Sequence, residues 1–361
     1  MKKSLFFVAT AAVVLASCSS DVKISENVAL EGSNAQKEIA FTALRHTPKH
    51  APIANGAIFP VEYNFFLAAY SVNGGGDYFD KAEYAREGAS GNVWSGVEGQ
   101  KKYWPLSPDT LNFLAVTKSG ADASNTTFGA GEPRANFASK VVVTLADNRS
   151  TQHDLMYSYA RAAVTKSGNV LTYNNVQMPF NHMQAWVNFT VKAANDATKD
   201  AGIVVTGIQL KQAVYNGTAT VTLNNYNQKD AEHLLSATLA WDGTAYGEAT
   251  KYDVNVPGIT NVAVNSTSEI AAGTGLMIVP NPNKTAEELN PSFTTFVVSY
   301  TLNGNAYTFE YTPTDAQKRM VPAHKYDFNI AFTLHEIKVN ATVSNWTEDD
   351  YNVAIPNTPA P

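Results

Sequence analysis

Few residues in this chain could do chemistry, and the most telling is a single thiol. Cys18 is the only cysteine among 361 residues. It follows Leu15-Ala16-Ser17 at the end of an apolar run, residues 5–15, which is preceded by Lys2 and Lys3. That run is too short to cross a bilayer, which takes about 20 residues. Residues 1–17 therefore read as a signal peptide. The stretch ending in Cys18 resembles a bacterial lipobox, and the chemistry it implies is acylation of the Cys18 sulfur, tying the mature chain to outer-membrane lipid. The alternative is an ordinary secretory signal with a chance cysteine. One cysteine also excludes an internal disulfide, so the fold must hold by its core.

Arg45 offers a second reaction, hydrolysis of the peptide bond behind a basic residue. It closes the segment Glu-Ile-Ala-Phe-Thr-Ala-Leu-Arg, residues 38–45. Ile39, Phe41 and Ala43 share one face of that strand-like segment, and Ala40, Thr42 and Leu44 the other. The loop that follows, 46–57, carries two prolines, Pro48 and Pro52. A strand with a trypsin-like site behind it can be cut away from the sheet it helps to build. The groove left behind is a socket for a strand from another molecule. Burying Ile39 and Phe41 is worth on the order of 3–6 kcal/mol, against about 5–15 kcal/mol for a whole domain. An emptied groove would be strongly biased towards refilling. The alternative is an uncut loop arginine with the first strand retained.

The remaining candidates do not assemble into a catalytic or metal site. There is no His-Glu-x-x-His pattern and no Gly-x-Ser-x-Gly elbow. His46 and His50 are four apart, but Pro48 between them opposes a helix that would align them. Gly273-Thr274-Gly275 lacks the third glycine of a dinucleotide fingerprint and reads as a turn into a strand. His182 and His324 read as structural, and Glu348-Asp349-Asp350 as a solvated turn. No enzyme activity, cofactor or metal is expected. With a net charge of −6 and no basic run, nucleic acid is not an expected partner. The aromatic residues of 78–104, Trp94 and Trp104 among them, raise a different possibility: stacking on sugars by a surface glycan-binding lipoprotein.

The elements that must position these residues are β-strands. Charged residues make up 16% of the chain, below the usual ~25%. Tyrosine and phenylalanine number 17 each, a composition that suits sheets with polar turns. Residues 18–37 read as a flexible tether. Strands are expected over 61–70, 111–116, 140–145, 184–192, 203–210, 212–223 (with a tight turn at Asn216-Gly217) and 275–279. Residues 78–104 read as loop with short strands, and 152–163 as a short helix. Asn303-Gly304 sits between two alternating runs, 294–311, and marks a type I′ hairpin. Residues 327–343 read as one long strand. Its apolar parity changes at His335-Glu336, which calls for a bulge or bend. The sum is all-β, with tandem β-sandwiches: an N-terminal domain over 38–178 and a C-terminal domain over 179–346. A tail, 347–361, carries the alternating run Tyr351, Val353, Ile355 before Pro356.

Taken together, a set of weak motifs in fixed order resembles the fimbrillin-like lipoproteins of Bacteroidales, subunits of lipoprotein-derived fimbriae. They are the lipobox, the strand ending at Arg45, and Ala57-Ile58-Phe59-Pro60 leading into Phe65-Phe66-Leu67-Ala68-Ala69-Tyr70. Trp94, Tyr103-Trp104-Pro105 and Leu111-Asn112-Phe113 follow, then Asp154-Leu155-Met156-Tyr157 and Met178-Pro179-Phe180-Asn181-His182. Ala323-His324-Lys325-Tyr326-Asp327-Phe328 and residues 339–346 close the series. The resemblance implies two transthyretin-like, Greek-key β-sandwich domains and export as a lipoprotein through Cys18. It implies cleavage at Arg45 by an arginine-specific surface protease, and loss of the strand bearing Ile39, Phe41 and Ala43. It further implies assembly with copies of itself or related fimbrial subunits, the donor strand being Tyr351, Val353 and Ile355. Adhesion to host surface ligands would be the end served. An uncut, lipidated anchor or minor subunit is the other role within the same family.

Overall fold

The computed structural model describes residues 28–29, 36–44, 64–88, 93–118, 126–145, 154–173, 176–228, 234–242, 251–280, 292–314, 317 and 320–345. The expected signal peptide, Cys18, Arg45 and the tail with Tyr351, Val353 and Ile355 lie outside them. In chain order the strands begin with β1 (Val28–Ala29), β2 (Phe41–Leu44), β3 (Phe65–Ser71), β4 (Gly76–Arg86), β5 (Val93–Gly96), β6 (Asp109–Thr117), β7 (Thr126–Phe128) and β8 (Lys140–Leu145). Next come β9 (Met156–Ser167), β10 (Val170–Tyr173), β11 (Val176–Pro179), β12 (Asn181–His182), β13 (Ala185–Ala193), β14 (Ile203–Val214), β15 (Gly217–Asn224) and β16 (Ser236–Trp241). The last are β17 (Lys251–Asn255), β18 (Val262–Ala263), β19 (Ile270–Ala271), β20 (Leu276–Ile278), β21 (Thr295–Leu302), β22 (Asn305–Tyr311), β23 (His324–Phe332) and β24 (Ile337–Asn345).

The first sheet runs β1-β10-β9-β6-β3-β4-β5-β2-β11, with β12 beside β9. Its central strand β3 is an unbroken apolar run, and all seven of its residues are buried. Such a run serves two cores at once. Phe65, Leu67 and Ala69 face one core together with Ile39, Phe41, Trp94, Phe113 and Met178. Phe66, Ala68 and Tyr70 face a second core against Val141, Val143, Val221 and Trp241. The sheet curls, because residues from both of its ends, Tyr173 of β10 and Val176 of β11, meet in the first core. The second core is closed by the sheet β16-β15-β8-β7. A third core lies between the sheets β19-β13-β23-β24 and β17-β14-β21-β22, around Phe189, Val191, Ile208, Phe296, Phe328 and Ile330.

Several expectations hold. The alternation of β13 puts Ala185, Val187, Phe189 and Val191 in the third core, paired in parallel with β23. Asn303 and Gly304 both have positive φ, 50° and 80°, and Leu302 pairs with Asn305 around them. That is the two-residue hairpin that Asn-Gly favours. Gly273 and Gly275 likewise turn the chain into β20, and a side chain at Gly275 would collide with the Trp186 indole.

Others are corrected. The helix expected over 152–163 is absent from its described residues, 154–163; from Met156 they belong to the 12-residue strand β9. There Met156 and Ala162 point into the first core while Tyr157 and Tyr159 pack on the second. A strand between two cores needs apolar residues on both faces, which hides its period of two. Residues 78–104, expected as loop with short strands, begin with a long one: β4 runs unbroken from Gly76 to Arg86. The parity change at His335-Glu336 is not a bulge in one long strand. It is a reversal, with β23 and β24 pairing antiparallel from Phe332–Ile337 out to His324–Asn345. Thr333 makes the turn: its hydroxyl accepts from the Glu336 and His335 amides and donates to the Glu336 carbonyl. Asn216-Gly217 is no hairpin turn either, because β14 and β15 lie in different sheets. After β14, the chain crosses to pair β15 with β8. Sheet pairing thus runs across the boundary expected at residue 178.

Candidate functional site

The segment that the sequence marks for removal is the best-defined site among the described residues. Phe41–Leu44 lies inside the first sheet, not at its edge. On one side it pairs antiparallel with β5, Phe41 opposite Trp94 and Thr42 opposite Val93. On the other it pairs in parallel with β11, from Val176–Phe41 to Pro179–Leu44. The ladder extends upstream: the Ile39 amide donates to the Lys102 carbonyl at 2.8 Å, and the Trp104 amide donates to the Lys37 carbonyl at 2.9 Å. Phe41 and Thr42 therefore sit in a slot with strand backbone on both sides, Ala43 and Leu44 continue along β11, and residues 37–39 are held by 102–104.

The inward row of the segment fills the first core. Ile39 and Phe41 are 0% and 1% exposed. The Phe41 ring meets Phe113 edge-on at 5.0 Å, Tyr84 at 5.3 Å and Phe65 at 6.4 Å. Below it Phe65 and Tyr84 stack at 5.6 Å, and Trp104 reaches Phe113 at 6.0 Å. Aromatic contacts of this kind add to the burial of the rings themselves. Ala43 is held in the ladder opposite Met178.

Charge secures the upstream end. Lys101 Nζ lies 2.8 Å from Glu38 Oε2, and this bond holds the Lys101 pKa above its ordinary value. Lys37 Nζ sits over the Tyr173 ring at 5.9 Å. Both contacts are solvent-accessible and each is worth little. Burial raises the Tyr84 phenol above its ordinary value, and the neighbouring Glu38 carboxylate adds to the effect.

Trp94 and Trp104 are 0% and 2% exposed, so neither offers a face to a sugar, and the stacking role considered for them is withdrawn. They form the wall of the slot instead. His182 is structural: its Nδ1 is 2.9 Å from Asp154 Oδ1, both side chains being buried. His324 Nδ1 is 2.8 Å from the Pro322 carbonyl oxygen. Among the described residues no group of three or more His, Cys, Asp or Glu could hold a metal, and no helix is long and apolar enough to cross a membrane. The flank that sequence reasoning missed is β11. Val176 and Met178 do alternate towards the core, but Pro179 and the polar residues before them masked the strand.

A family model described as fimbrillin-like matches residues 64–346. No curated protein matches the sequence. Among solved structures, a candidate cell adhesion protein from Bacteroides uniformis aligns over 86% of this chain and 99% of its own, at 16% identity and TM-score 0.48. A fimbrial protein from Bacteroides vulgatus aligns over 80% and 94%, at 14% identity and TM-score 0.45. The tip fimbrial protein Mfa3 from Porphyromonas gingivalis, with C-terminal truncation, aligns over 89% and 100%, at 12% identity and TM-score 0.43. The assignment rests on the family match alone. A slotted all-β chain matched over most of its length by that model belongs to the fimbrillin-like family, whose members are structural subunits and not enzymes.

Proposed function

We propose that the chain is a structural subunit of a cell-surface fimbrium that polymerises by strand replacement and serves adhesion. In this reading Cys18 carries lipid during export and Arg45 is cut by an arginine-specific surface protease. The segment bearing Ile39, Phe41 and Ala43 then leaves, and the run Tyr351, Val353, Ile355 of another subunit takes its place. Partners are copies of this chain or related subunits, with outer-membrane lipid before cleavage. The observation that carries the reading is the position of β2 between β5 and β11, with Phe41 and Thr42 paired on both sides. Removing an edge strand would merely shorten a sheet. Removing this one leaves two unpaired ladder edges facing each other above an aromatic floor, a form that recruits an extended peptide.

The test is digestion of the purified full-length chain with an arginine-specific protease, followed by unheated denaturing electrophoresis. The reading predicts loss of the segment up to Arg45 and a ladder of multimers. A chain that resists cutting at Arg45 would point to the uncut anchor role, and one that is cut yet stays monomeric would contradict strand replacement.

A further inference from the structure

Away from the slot, the first sheet brings together a lysine, an asparagine and a carboxylate from three neighbouring strands. Asn64 immediately precedes β3, and Lys118 immediately follows β6. They face each other at the end of that strand pair: the ladder runs to Phe65–Thr117, and the Lys118 amide donates to the Asn64 carbonyl at 2.9 Å. Glu83 of β4 is opposite Phe66, so its side chain stands on the same face as theirs. Asn64 Nδ2 donates to Glu83 Oε1 at 2.5 Å. Lys118 Nζ donates to Oε1 at 3.0 Å and to Oε2 at 3.1 Å. The two nitrogens share one oxygen atom, so they are no further apart than those two contacts laid end to end. The Asn64 amide carbon is one bond from Nδ2.

The setting is partly dry. The side chains of Glu83 and Lys118 are 15% and 36% exposed, and the buried Phe66 ring lies 5.8 Å from Lys118 Nζ. Burial alone would raise the Glu83 carboxyl, but hydrogen bonds from Asn64 and Lys118 hold it below its ordinary value. Lys81 adds a further positive charge near Glu83, so the carboxylate keeps a counter-charge when Lys118 loses its own. The same three residue types meet again as Lys325, Asp327 and Asn188. There the lysine is opposite Trp186, and the asparagine is opposite the aspartate. Of the two groups, the one at Glu83 sets its lysine directly across from its asparagine.

We propose that Lys118 and Asn64 are joined by an isopeptide bond, formed by the folded chain itself with Glu83 as the catalytic residue. The Lys118 ammonium passes one proton to the Glu83 carboxylate. The neutral Nζ attacks Asn64 Cγ, and the new C–N bond forms. Glu83 returns the proton to Nδ2 as the Cγ–Nδ2 bond breaks, and a second proton from Nζ follows it. The leaving group departs as ammonium, one N–H remains on the new amide, and Glu83 ends as the carboxylate it began as. No other reactant is needed. Attack requires an approach of about 3–3.5 Å, which the flexible lysine stem supplies. The bond closes residues 64–118 into a loop that carries β4, β5, Trp94 and Trp104, the wall of the slot. That wall is framed whether or not the first strand is exchanged, so the inference does not rest on strand replacement.

The experiment takes the purified full chain, denatures it, digests it with trypsin and maps the peptides by mass spectrometry. The peptide containing Asn64 is expected joined to the peptide containing Lys118, one ammonia lighter than the two together, with no cleavage after Lys118. In Glu83→Gln and in Lys118→Arg the two peptides are expected apart. Both variants should melt several degrees below the unsubstituted chain, which the cross-link constrains when unfolded. Separate peptides from the unsubstituted chain would overturn the inference, whatever the variants do. So would a loss of ammonia located elsewhere, as from a succinimide at Asn303-Gly304. Joined peptides that persist in Glu83→Gln would overturn the role of Glu83.

Discussion

At the scale of residues, Ile39 and Phe41 are the two side chains that the segment buries in the first core. Replacing Phe41 by alanine removes a ring surrounded by Phe65, Tyr84 and Phe113. We expect urea unfolding of the uncut chain to show a loss of about 3–5 kcal/mol, with earlier release of the first strand under limited proteolysis. Replacing Thr42, on the opposite face, should change stability by no more than about 0.5 kcal/mol. The contrast between Phe41 and Thr42 was legible in the sequence, since a period of two needs no knowledge of the partner strands. The floor of Tyr84, Trp94 and Trp104 was not, because aromatic residues suit a core wall as well as an exposed binding face. Burial of tyrosines also sets an alkaline limit. Burial raises Tyr84 above its ordinary value of 10.0 and Tyr157 to about 12. Such a group keeps its proton in the native state after the unfolded chain has lost it. Its contribution is whole below pH 10.0 and is lost as pH climbs through the folded value. The urea midpoint should therefore fall above pH 10, and less steeply in Tyr157→Phe.

At the scale of elements, the slot makes a prediction that composition alone could not. Thr42 and Val93 are directly opposite on neighbouring strands, and both face outward, half-buried and exposed respectively. Cysteines at both positions should form a disulfide that fixes the first strand in place. The oxidised double variant, cut after Arg45, should remain monomeric on unheated gels, and reduction should restore the ladder. Multimers from the oxidised form would mean that another surface drives association. Hairpins were the easiest elements to foresee, where local chemistry decides. Asn303 and Gly304 sit at positive φ as their types prefer. The reversal at 333–336 was harder, because a change of apolar parity fits a bulge and a hairpin equally. The antiparallel pairing of β23 with β24, closed by the Thr333 hydroxyl, distinguishes them. Strand β9 misled because it faces two cores, so no single face is polar.

At the scale of the whole molecule, the two halves of the chain are stitched together. The β15–β16 hairpin follows a strand of the third core yet completes the sheet over the second. β15 pairs with β8 from Gly217–Leu145 to Thr222–Lys140, and in the same core the Trp241 indole donates to the Met183 carbonyl at 2.9 Å. The uncut chain should unfold in one calorimetric transition, and Trp241→Ala should lower stability by about 3–5 kcal/mol and broaden or split that transition. Nothing local announced this crossover, because strand pairing between distant segments leaves no mark on either segment's own pattern. The most direct test of the central claim is made on the native surface, by intact mass and N-terminal sequencing of protein sheared from cells. Strand replacement predicts a chain that begins at His46, recovered from a ladder of high-mass species. A lipidated chain that begins at Cys18 and runs as a monomer would contradict it.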